Sequence, residues 1–485
     1  MQLPMIALRV PTRQRARRAR ERTVARDGQN EAGPHGPFRP SVPSCTVGDL
    51  VSASHLDSLL AKLEERSATV AIVGQGYVGL PVAMRCVEVG HQTIGYEVDP
   101  RRVAMLLAAT SYVGDIPDEQ LGAALASGYR PTDQIDDLAG FDVAVISVPT
   151  PLAEGIPDLS FVESASNTIA RVLRAGSVVI LESTTYPGTT DELVRPILEA
   201  TGLRAGEDFF LGYSPERIDP GNATFGFVNT PKVVSGVDAS SLRAVDAFFS
   251  TLVDKTVPVK SCREAELVKL LENTFRHVNI ALVNELAMFA DDLGVDIWSA
   301  IDAASTKPFG YMRFTPGPGV GGHCLPIDPS YLSWSVKRRS GHPFRFVELA
   351  NDVNEHMPDY VVQRVTRMLN DEGRAVRGAR ILLLGFAYKA GTSDWRESPS
   401  VAVAELLAEL GADLRGADPY LPAGAVLPAN AALVEASAAE IDAADLVVLL
   451  VDHPEFEPDA LCRSGALILD TKGALRNRSF RGETL

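Results

Sequence analysis

The sequence predicts an α/β protein with two Rossmann-like doubly wound domains joined by a long central helix. Three observations predict this fold: a strand, glycine turn and helix at 67–90, an uninterrupted helical pattern at 262–295, and a renewed alternation of strands and helices from 379. A chain of 485 residues is long enough for two or three domains with separate cores. The predicted segments are a tail at 1–55 and domains at 56–258, 259–372 and 373–485.

The N-terminal tail differs in charge from the rest of the chain. Residues 1–45 hold nine arginines, no lysine and three acidic residues, a net +6; because the whole chain carries −16, the remainder carries −22. An acidic body repels nucleic acid, so we expect no nucleic-acid partner. We predict a disordered tail. The alternatives are an arm that binds nucleic acid or a membrane surface, a transit peptide, or an over-long start assignment.

Two further features of the composition limit the class of protein. No apolar run approaches the ~20 residues that a membrane-spanning helix needs, so we expect no membrane insertion. The five cysteines are odd in number and show neither metal-ligand nor C-x-x-C spacing. Free thiols are typical of a reducing compartment, so we expect a cytoplasmic protein without a metal site.

The first α/β domain begins with a glycine motif. Gly74, Gly76 and Gly79 form G-x-G-x-x-G between the apolar strand "TVAIVG" and a helix, and Glu97 ends the next strand 18 residues after Gly79. The glycines let the backbone approach a pyrophosphate at the helix N-terminus, and the carboxylate accepts from ribose hydroxyls and repels a 2′-phosphate. The motif predicts NAD rather than NADP, although Arg102 nearby weakens that preference. The alternative is a tight turn without cofactor.

Two loops of this domain carry candidate ligand-facing residues. Thr150 lies in "SVPTP", at the end of the predicted strand in segment 141–151. A further strand segment is predicted at 176–188. Ligand-binding residues gather at strand ends in open α/β sheets. Glu216 and Arg217 lie in the proline-flanked loop "YSPERIDPGN". As isolated segments, both loops are equally compatible with ordinary turns.

The long helical segment at 262–295 has no proline and no glycine before its last turn, and it would span roughly 45 Å. A helix of this length favours a bridge between domains or a dimer interface. Lys269 and Asn273 stand four residues apart and share a face among apolar neighbours. Such polar side chains need polar company or a function. The alternative is a lysine that extends to the surface and a solvated asparagine.

The stretch "GPGVGGHCLPID" places Cys324 behind a cluster of glycines, with Asp328 four residues later. We predict that Cys324 is reactive and that Asp328 orients a water or balances a cation; a turn aspartate is the alternative for Asp328. His323 and Cys324 are adjacent, and neighbours in an extended chain point in opposite directions, so we do not expect a Cys/His dyad. Cys262 has no glycine setting and is predicted to be a packing residue.

The strand and helix alternation returns in the C-terminal part of the chain. The predicted strand segments are 379–388, 412–420, 444–453 and 465–473.

Six motifs in this order resemble those of the nucleotide-sugar 6-dehydrogenases, the UDP-glucose and GDP-mannose dehydrogenase family. The resemblance covers roughly residues 68 to 475 and excludes the tail. The motifs are "GQGYVGLPVA", "SVPTP", "YSPERIDPGN", "VKLLENTFRHVNIALVNELA", "GPGVGGHCLPIDP" and "GFAYKAGTSDWRESPS".

This resemblance implies an N-terminal NAD domain, a central dimerisation domain with a catalytic cysteine loop, and a C-terminal domain that helps to bind a UDP-sugar. It implies that the primary alcohol at C6 of the sugar is oxidised twice, with two NAD+, to a carboxylate for surface-polysaccharide precursors. Cys324 would be the nucleophile, Glu216 the base in thioester hydrolysis, and Thr150 would position the water. Lys269, Asn273 and Asp328 would assist around the reacting oxygen.

The resemblance also implies two sets of binding residues. The cofactor set is Gly74, Gly76, Tyr77, Val78, Gly79, Glu97, Arg102, Thr150 and Thr184. The substrate set is Arg217, Lys269, Asn273, Phe314, Gly321, Lys389 and Arg396, of which Lys389 and Arg396 would bind phosphates or ribose across the domains.

Two departures from the UDP-glucose branch narrow the expected substrate. Arg217 follows Glu216 where that branch has "PEF", and "GHC" replaces "GSC". Both resemble the branch that acts on UDP-N-acetylhexosamines, best matched by UDP-N-acetylglucosamine 6-dehydrogenases; UDP-N-acetylmannosamine and UDP-glucose stay open. A homodimer or higher homo-oligomer is expected. The rival hypotheses are a two-electron hydroxyacid dehydrogenase and a non-enzymatic nucleotide-binding subunit.

Overall fold

The computed structural model describes residues 47–153, 155–219, 222, 224–322, 325–422 and 424–485, with side chains from residue 54. The first α/β part contains ten strands: β1 (Thr69–Val73), β2 (Gln92–Tyr96), β3 (Tyr129–Thr132), β4 (Val143–Ile146), β5 (Leu152–Ala153), β6 (Ile156–Pro157), β7 (Val178–Leu181), β8 (Phe210–Tyr213), β9 (Lys232–Gly236) and β10 (Thr256–Pro258). Its α-helices are α1 (Val47–Glu64), α2 (Gly79–Glu88), α3 (Pro100–Leu107), α4 (Asp118–Ala126), α5 (Ser160–Ala170), α6 (Arg195–Glu199) and α7 (Ala239–Ser250).

Eight of these strands form one sheet in the order β10-β9-β8-β7-β4-β1-β2-β3. The strands from β8 to β3 pair in parallel, and most of their residues are apolar and buried, as expected for a sheet covered on both faces. β9 runs antiparallel to β8, with Gly212 opposite Gly236. The first residue of β9 therefore lies at the edge where β7 and β8 end, which places a polar side chain there.

Helix α1 begins at Val47, so the prediction that the tail extends to residue 55 is wrong at its C-terminal end. Leu56, Leu59 and Leu63 are spaced as on one helix face and are buried in the core of the first sheet. The helix forms because this apolar face is covered by α7. The rest of the predicted tail lies outside the described residues.

The central part is helical: α8 (Cys262–Leu293), α9 (Ile297–Ser305), α10 (Asp328–Ser340), α11 (Arg345–Glu355) and α12 (Met357–Asp371). The predicted long helix is thus confirmed as α8, whose 32 residues span about 48 Å. The hydroxyl of Ser261 caps its start by accepting from the Glu264 N–H at 3.2 Å. Helices α10 and α11 pack against α8, so α8 connects the first sheet to the cysteine loop.

The C-terminal part repeats the α/β plan. Its elements are β11 (Arg380–Leu384), α13 (Pro399–Glu409), β12 (Asp413–Ala417), β13 (Ala432–Leu433), α14 (Ala438–Asp442), β14 (Leu446–Leu449), α15 (Pro458–Arg463), β15 (Ile468–Asp470) and β16 (Gly482–Thr484). They form a parallel six-stranded sheet in the order β13-β12-β11-β14-β15-β16. Two α/β parts, each with its own sheet, and one long helix confirm the predicted fold class.

Candidate active site

The glycine motif forms a tight turn between β1 and the N-terminus of α2. A Cβ on Gly74 would lie 2.2 Å from the Ser147 carbonyl oxygen, and one on Gly79 would lie 1.9 Å from the Gly74 carbonyl oxygen. At Gly76 no heavy atom of the described chain lies within 4 Å of such a Cβ. Two glycines therefore allow close packing of the turn, whereas the third leaves open space beside a helix N-terminus, where a pyrophosphate fits.

The acidic end of β2 faces this turn. Glu97 is buried, accepts from the Gln75 N–H at 3.3 Å and the Asp99 N–H at 3.1 Å, and lies 3.7 Å from Arg102. The Arg102 guanidinium also lies over the Tyr112 ring, 5.2 Å from its centroid. Glu97 is thus held beside the turn, where its role as a ribose acceptor stays a prediction, and Arg102 already has two protein contacts.

The remaining predicted cofactor residues surround the same turn. Tyr77 is 54 % exposed, and Val78 directly precedes α2, whose first turn is capped by none of the described side chains. Free N–H groups at a helix start suit an anionic ligand. The residues present therefore fit a dinucleotide, and the contact of each with it stays a prediction.

Two glycine variants separate packing from cofactor contact. Gly79→Ala is expected to lower the free energy of unfolding by about 3 kcal/mol, because its Cβ would collide with a backbone carbonyl. Gly76→Ala is expected to change stability by less than about 1 kcal/mol but to raise the KM for NAD+ about tenfold, because its Cβ enters the space beside the helix start. Thermal unfolding and NAD+ saturation curves measure both. Equal losses of stability in the two variants would contradict this assignment.

The ends of β4 and β7 meet in front of the sheet. Thr150 follows β4, and the Tyr331 hydroxyl of α10 donates to the Thr150 carbonyl and, at 3.1 Å, to that of Pro151. Thr184 is half-buried beyond β7. The neighbouring Thr185 is buried, and its hydroxyl finds no hydrogen-bond partner within the described residues. Neither Tyr331 nor Thr185 was singled out from the sequence.

Three predicted residues from two helices come together beside this edge. Asn273 donates to Asp328 at 2.5 Å, and Lys269 donates to the Glu216 carbonyl at 2.5 Å. Lys269, Asn273 and Asp328 are all at most 9 % exposed. Burial raises the pKa of Asp328 to about 6, although the Lys269 ammonium and the Asn273 amide act in the opposite direction. The alternative of a surface lysine and a solvated asparagine is excluded by this burial.

Glu216 forms a buried triad that the sequence analysis missed. Lys232 Nζ lies 2.7 Å from Glu216 Oε2 and 2.6 Å from Glu182 Oε1. The Glu216 carboxylate also accepts from the Arg217 and Ile218 N–H groups, each at 2.6 Å. Burial alone would raise the pKa of Glu216, but the Lys232 ammonium outweighs it and the pKa is lowered. Burial raises the pKa of Glu182, despite the same lysine.

Arg217 is engaged with the long helix. Its guanidinium pairs with Glu272 of α8 at 2.5 Å and donates to the Pro231 carbonyl. Phe314 is half-buried and packs edge-to-face on Phe275 of α8, with ring centroids 5.8 Å apart. Both residues therefore lie on the α8 side of the site, and their contact with a substrate stays a prediction.

The glycine-rich loop packs against the C-terminal part of the chain. A Cβ on Gly321 would lie 2.6 Å from the Glu397 carbonyl oxygen, and one on Gly322 would lie 2.8 Å from the Tyr388 ring. At both positions a neighbouring loop thus occupies the space that a side chain would need. Cys324 and His323 lie outside the described residues.

The same neighbouring loop carries the last predicted substrate residues. Lys389 pairs with Asp219 of the "YSPERIDPGN" loop at 2.7 Å, which connects the two α/β parts. Arg396 is more than half exposed and pairs with Asp394 at 2.7 Å. Both cations lie on the segment that faces the glycine-rich loop, and both are bound to carboxylates.

The other described cysteines are poorly suited to nucleophilic chemistry. Cys86 and Cys262 are buried, and burial raises the pKa of both thiols, that of Cys262 to about 12. A thiol protonated at neutral pH is a weak nucleophile. The packing role predicted for Cys262 agrees with this environment.

Among the described helices, none has both the length and the apolarity to cross a bilayer.

Comparisons with known proteins agree with the motifs. Three models of the UDP-glucose/GDP-mannose dehydrogenase family match: the NAD binding domain at 68–253, the central domain at 263–356 and the UDP binding domain at 382–477. These matches confirm the predicted family resemblance, its enzyme class and NAD as cofactor.

Individual relatives bear names that differ in the sugar. The chain is 35% identical over 390 residues to UDP-N-acetyl-D-mannosamine dehydrogenase of Pyrococcus horikoshii, covering 80% of this chain and 90% of that protein. It is 36% identical over 393 residues to UDP-N-acetyl-D-glucosamine 6-dehydrogenase of Pseudomonas aeruginosa, covering 80% and 91%. A solved UDP-glucose dehydrogenase from Pyrobaculum islandicum superposes with a TM-score of 0.77 at 30% identity, covering 86% of this chain and 97% of that one.

Proposed function

The chain belongs to the UDP-glucose/GDP-mannose dehydrogenase family of NAD-dependent oxidoreductases, and from this premise we propose that it oxidises C6 of UDP-N-acetylglucosamine to the carboxylate, with Cys324 as nucleophile. The convergence of Lys269, Asn273, Asp328 and Glu216 in one buried cluster carries this proposal, because Asp328 follows Cys324 by four residues in the sequence and the cluster contains two carboxylates and a cation.

The proposed chemistry explains why a thiol is needed. When bound, NAD+ accepts the hydride that leaves C6 in each oxidation. Loss of the first hydride and of the hydroxyl proton turns the alcohol into an aldehyde. The Cys324 thiolate then adds to the aldehyde carbon, and after protonation of the oxygen a thiohemiacetal results, whose carbon bears the second hydride. Loss of that hydride and of the hydroxyl proton gives a thioester.

Hydrolysis completes the reaction. Glu216 takes a proton from water while the water oxygen bonds to the thioester carbon, and the carbon–sulfur bond breaks to release the carboxylic acid and the Cys324 thiolate. The acid then loses its proton to solvent and leaves as the carboxylate. Lys269, whose ammonium lies against the Glu216 carbonyl, stabilises negative charge on the reacting oxygen. Asn273 and Asp328 form a hydrogen-bonded pair that positions the water, and Thr150 contributes from the end of β4.

The choice of sugar rests on two sequence features and on relatives. Arg217 directly follows Glu216, and "GHC" precedes the leucine at 325, as in the branch that acts on UDP-N-acetylhexosamines. In this proposal Arg217 acts from its ion pair with Glu272, at the α8 side of the site. The Pseudomonas aeruginosa relative named for UDP-N-acetylglucosamine supports this sugar, whereas the Pyrococcus horikoshii relative supports its mannosamine epimer as the second candidate.

A panel of nucleotide sugars tests the proposal. UDP-N-acetylglucosamine, UDP-N-acetylmannosamine, UDP-N-acetylgalactosamine, UDP-glucose and GDP-mannose are each incubated with NAD+, and NADH is counted per sugar consumed. We expect two NADH per sugar with UDP-N-acetylglucosamine as the preferred substrate. Preference for another sugar at the same ratio would correct the substrate alone, whereas one NADH per sugar would contradict the four-electron mechanism.

The proposed enzyme is a homodimer or a higher homo-oligomer. Seven large apolar side chains of α8 are exposed and lie three, four or seven residues apart along the helix: Leu267, Leu271, Phe275, Leu282, Leu286, Phe289 and Leu293. An apolar stripe of this length on one helix is typical of an interface between subunits. Analytical ultracentrifugation is expected to give twice the mass of the chain or a larger multiple, and a monomer at micromolar concentration would exclude the dimer.

A further inference from the structure

The buried triad of Glu182, Lys232 and Glu216 lies behind the proposed base. Each residue comes from a different element: Glu182 follows β7, Lys232 begins the antiparallel strand β9, and Glu216 lies in the loop after β8. The side chains of Lys232 and Glu182 are 3 % and 0 % exposed, and that of Glu216 is 10 % exposed. Water therefore has little access to the lysine, and its charge acts almost wholly on the two carboxylates.

The two carboxylates of the triad differ in the number of hydrogen bonds that their oxygens accept. Lys232 donates to one oxygen of each carboxylate, and its ammonium also lies 5.1 Å from the centroid of the Phe249 ring. The second oxygen of Glu216 accepts from two backbone N–H groups. The second oxygen of Glu182 is buried and has no hydrogen-bond partner among the residues that the structure describes. Burial of an ionised carboxylate oxygen without a hydrogen-bond partner costs free energy, and protonation of the carboxylate removes most of this cost.

The net charge of the triad points to the same role. With both carboxylates ionised and the lysine protonated, three buried groups carry −1 and are one proton short of neutrality. A single carboxylate paired with this ammonium would be a weak base, because an adjacent opposite charge lowers a carboxyl pKa by about one to three units. The second carboxylate shares the ammonium and so restores basicity to the first.

We propose that Lys232 and Glu182 are positioning residues for the proposed base Glu216. The lysine fixes the orientation of the Glu216 carboxylate. Glu182 adds a second negative charge, so that the triad becomes neutral when it takes up one proton. This inference rests on the proposed function of Glu216. In the hydrolytic step the O–H bond of the attacking water breaks and its proton binds to Glu216. The triad passes from −1 to neutral, and the proton leaves to solvent after the product.

Three other titratable groups lie around the triad. Lys269 of α8 donates to the backbone carbonyl of Glu216. The Cys86 thiol of α2 lies near the Glu182 carboxylate. The Tyr213 hydroxyl of β8 lies near the carboxylates of Glu182 and Glu266. Burial keeps the pKa of the Cys86 thiol and of the Tyr213 hydroxyl well above their usual values, so both stay neutral at pH 7. Lys269 is common to all the variants below.

The two positioning residues are tested by their opposite effects on pH dependence. Lys232→Gln removes the cation, so the base protonates more readily, and the ascending limb of the pH–rate profile is expected to move up by about one pH unit. Glu182→Gln leaves the cation to Glu216 alone, so the limb is expected to move down by about one unit and the plateau rate to fall about tenfold. The KM values for sugar and NAD+ are expected to change by less than about threefold.

Steady-state NADH formation from pH 3 to 9.5 measures these limbs, because the lowered pKa of Glu216 places its limb in the acid range, and the fold is checked by circular dichroism at each pH. Lys232→Arg retains the charge and is expected to retain the wild-type limb, which keeps the test valid where Lys232→Gln does not fold. Lys62→Gln is the matched control: Lys62 pairs with Asp142 at the same distance, 2.7 Å, at the opposite edge of the sheet. It is expected to leave the profile unchanged.

The outcomes separate the inference from the function on which it rests. Wild-type enzyme that makes no NADH from any UDP-sugar overturns the proposed function. Active wild-type enzyme in which the two variants shift the limb in the same direction, or not at all, overturns only the triad. An upward shift for Lys232→Gln together with a downward shift for Glu182→Gln supports both.

Discussion

A Cys324→Ser variant is expected to lose at least about a thousandfold in steady-state NADH formation, because a serine hydroxyl in place of the thiolate forms neither an efficient hemiacetal nor a reactive ester. The first oxidation does not need the thiol, so at most one NADH per site is expected before turnover stops. Rapid-mixing absorbance at 340 nm with the preferred UDP-sugar measures both quantities.

The control for this variant is Cys462→Ser. Cys462 is half-buried in the C-terminal part of the chain and has no place in the proposed site, so its replacement is expected to change turnover by less than about twofold. A Cys324→Ser enzyme that turns over at the wild-type rate would favour the rival hypothesis of a two-electron hydroxyacid dehydrogenase, which needs no cysteine.

A Glu216→Gln variant is expected to stop at a different stage. Both oxidations precede hydrolysis, so this enzyme should release two NADH per site in a rapid burst and then turn over about a hundred- to ten-thousandfold more slowly than wild type, the usual range for loss of a general base. The glutamine retains the size of the side chain and an oxygen that accepts from the Arg217 and Ile218 N–H groups, so the loop around it is expected to hold its shape.

A surface carboxylate serves as the control for this second variant. Glu192 pairs with Arg263 and Arg339 and is half exposed. Glu192→Gln is expected to show normal turnover without a separate burst. A Glu216→Gln enzyme without a burst, or with a burst of one NADH, would remove the assignment of Glu216 to hydrolysis.

Much of the site could be predicted because its signals are local. The glycine motif depends on a turn within six residues, and Lys269 and Asn273 share a face because a helix repeats every 3.6 residues. The long helix α8 was predicted at nearly its observed length for the same reason. These patterns need no knowledge of which segments lie next to each other.

The residues that sequence reasoning missed depend on distant parts of the chain. Lys232 reaches Glu216 only because β9 runs antiparallel to β8, and nothing in the short segment "PKVVSG" indicates the direction of its strand. Glu182 resembled the polar end of any buried strand. Gly321 belongs to the predicted substrate set, but the structure places Glu397 and Tyr388 of the C-terminal part against Gly321 and the Tyr388 ring against Gly322.

The central claim is that the sugar carbon becomes covalently bound to Cys324 between the first and the second hydride transfer and stays bound until hydrolysis. Intact-protein and peptide mass spectrometry of Glu216→Gln, quenched in acid after the NADH burst, tests it most directly. The account predicts an added mass equal to the nucleotide-sugar acyl group, located on the peptide that contains Cys324 and absent from Cys324→Ser. A burst of two NADH per site with an unmodified Cys324 peptide would contradict it.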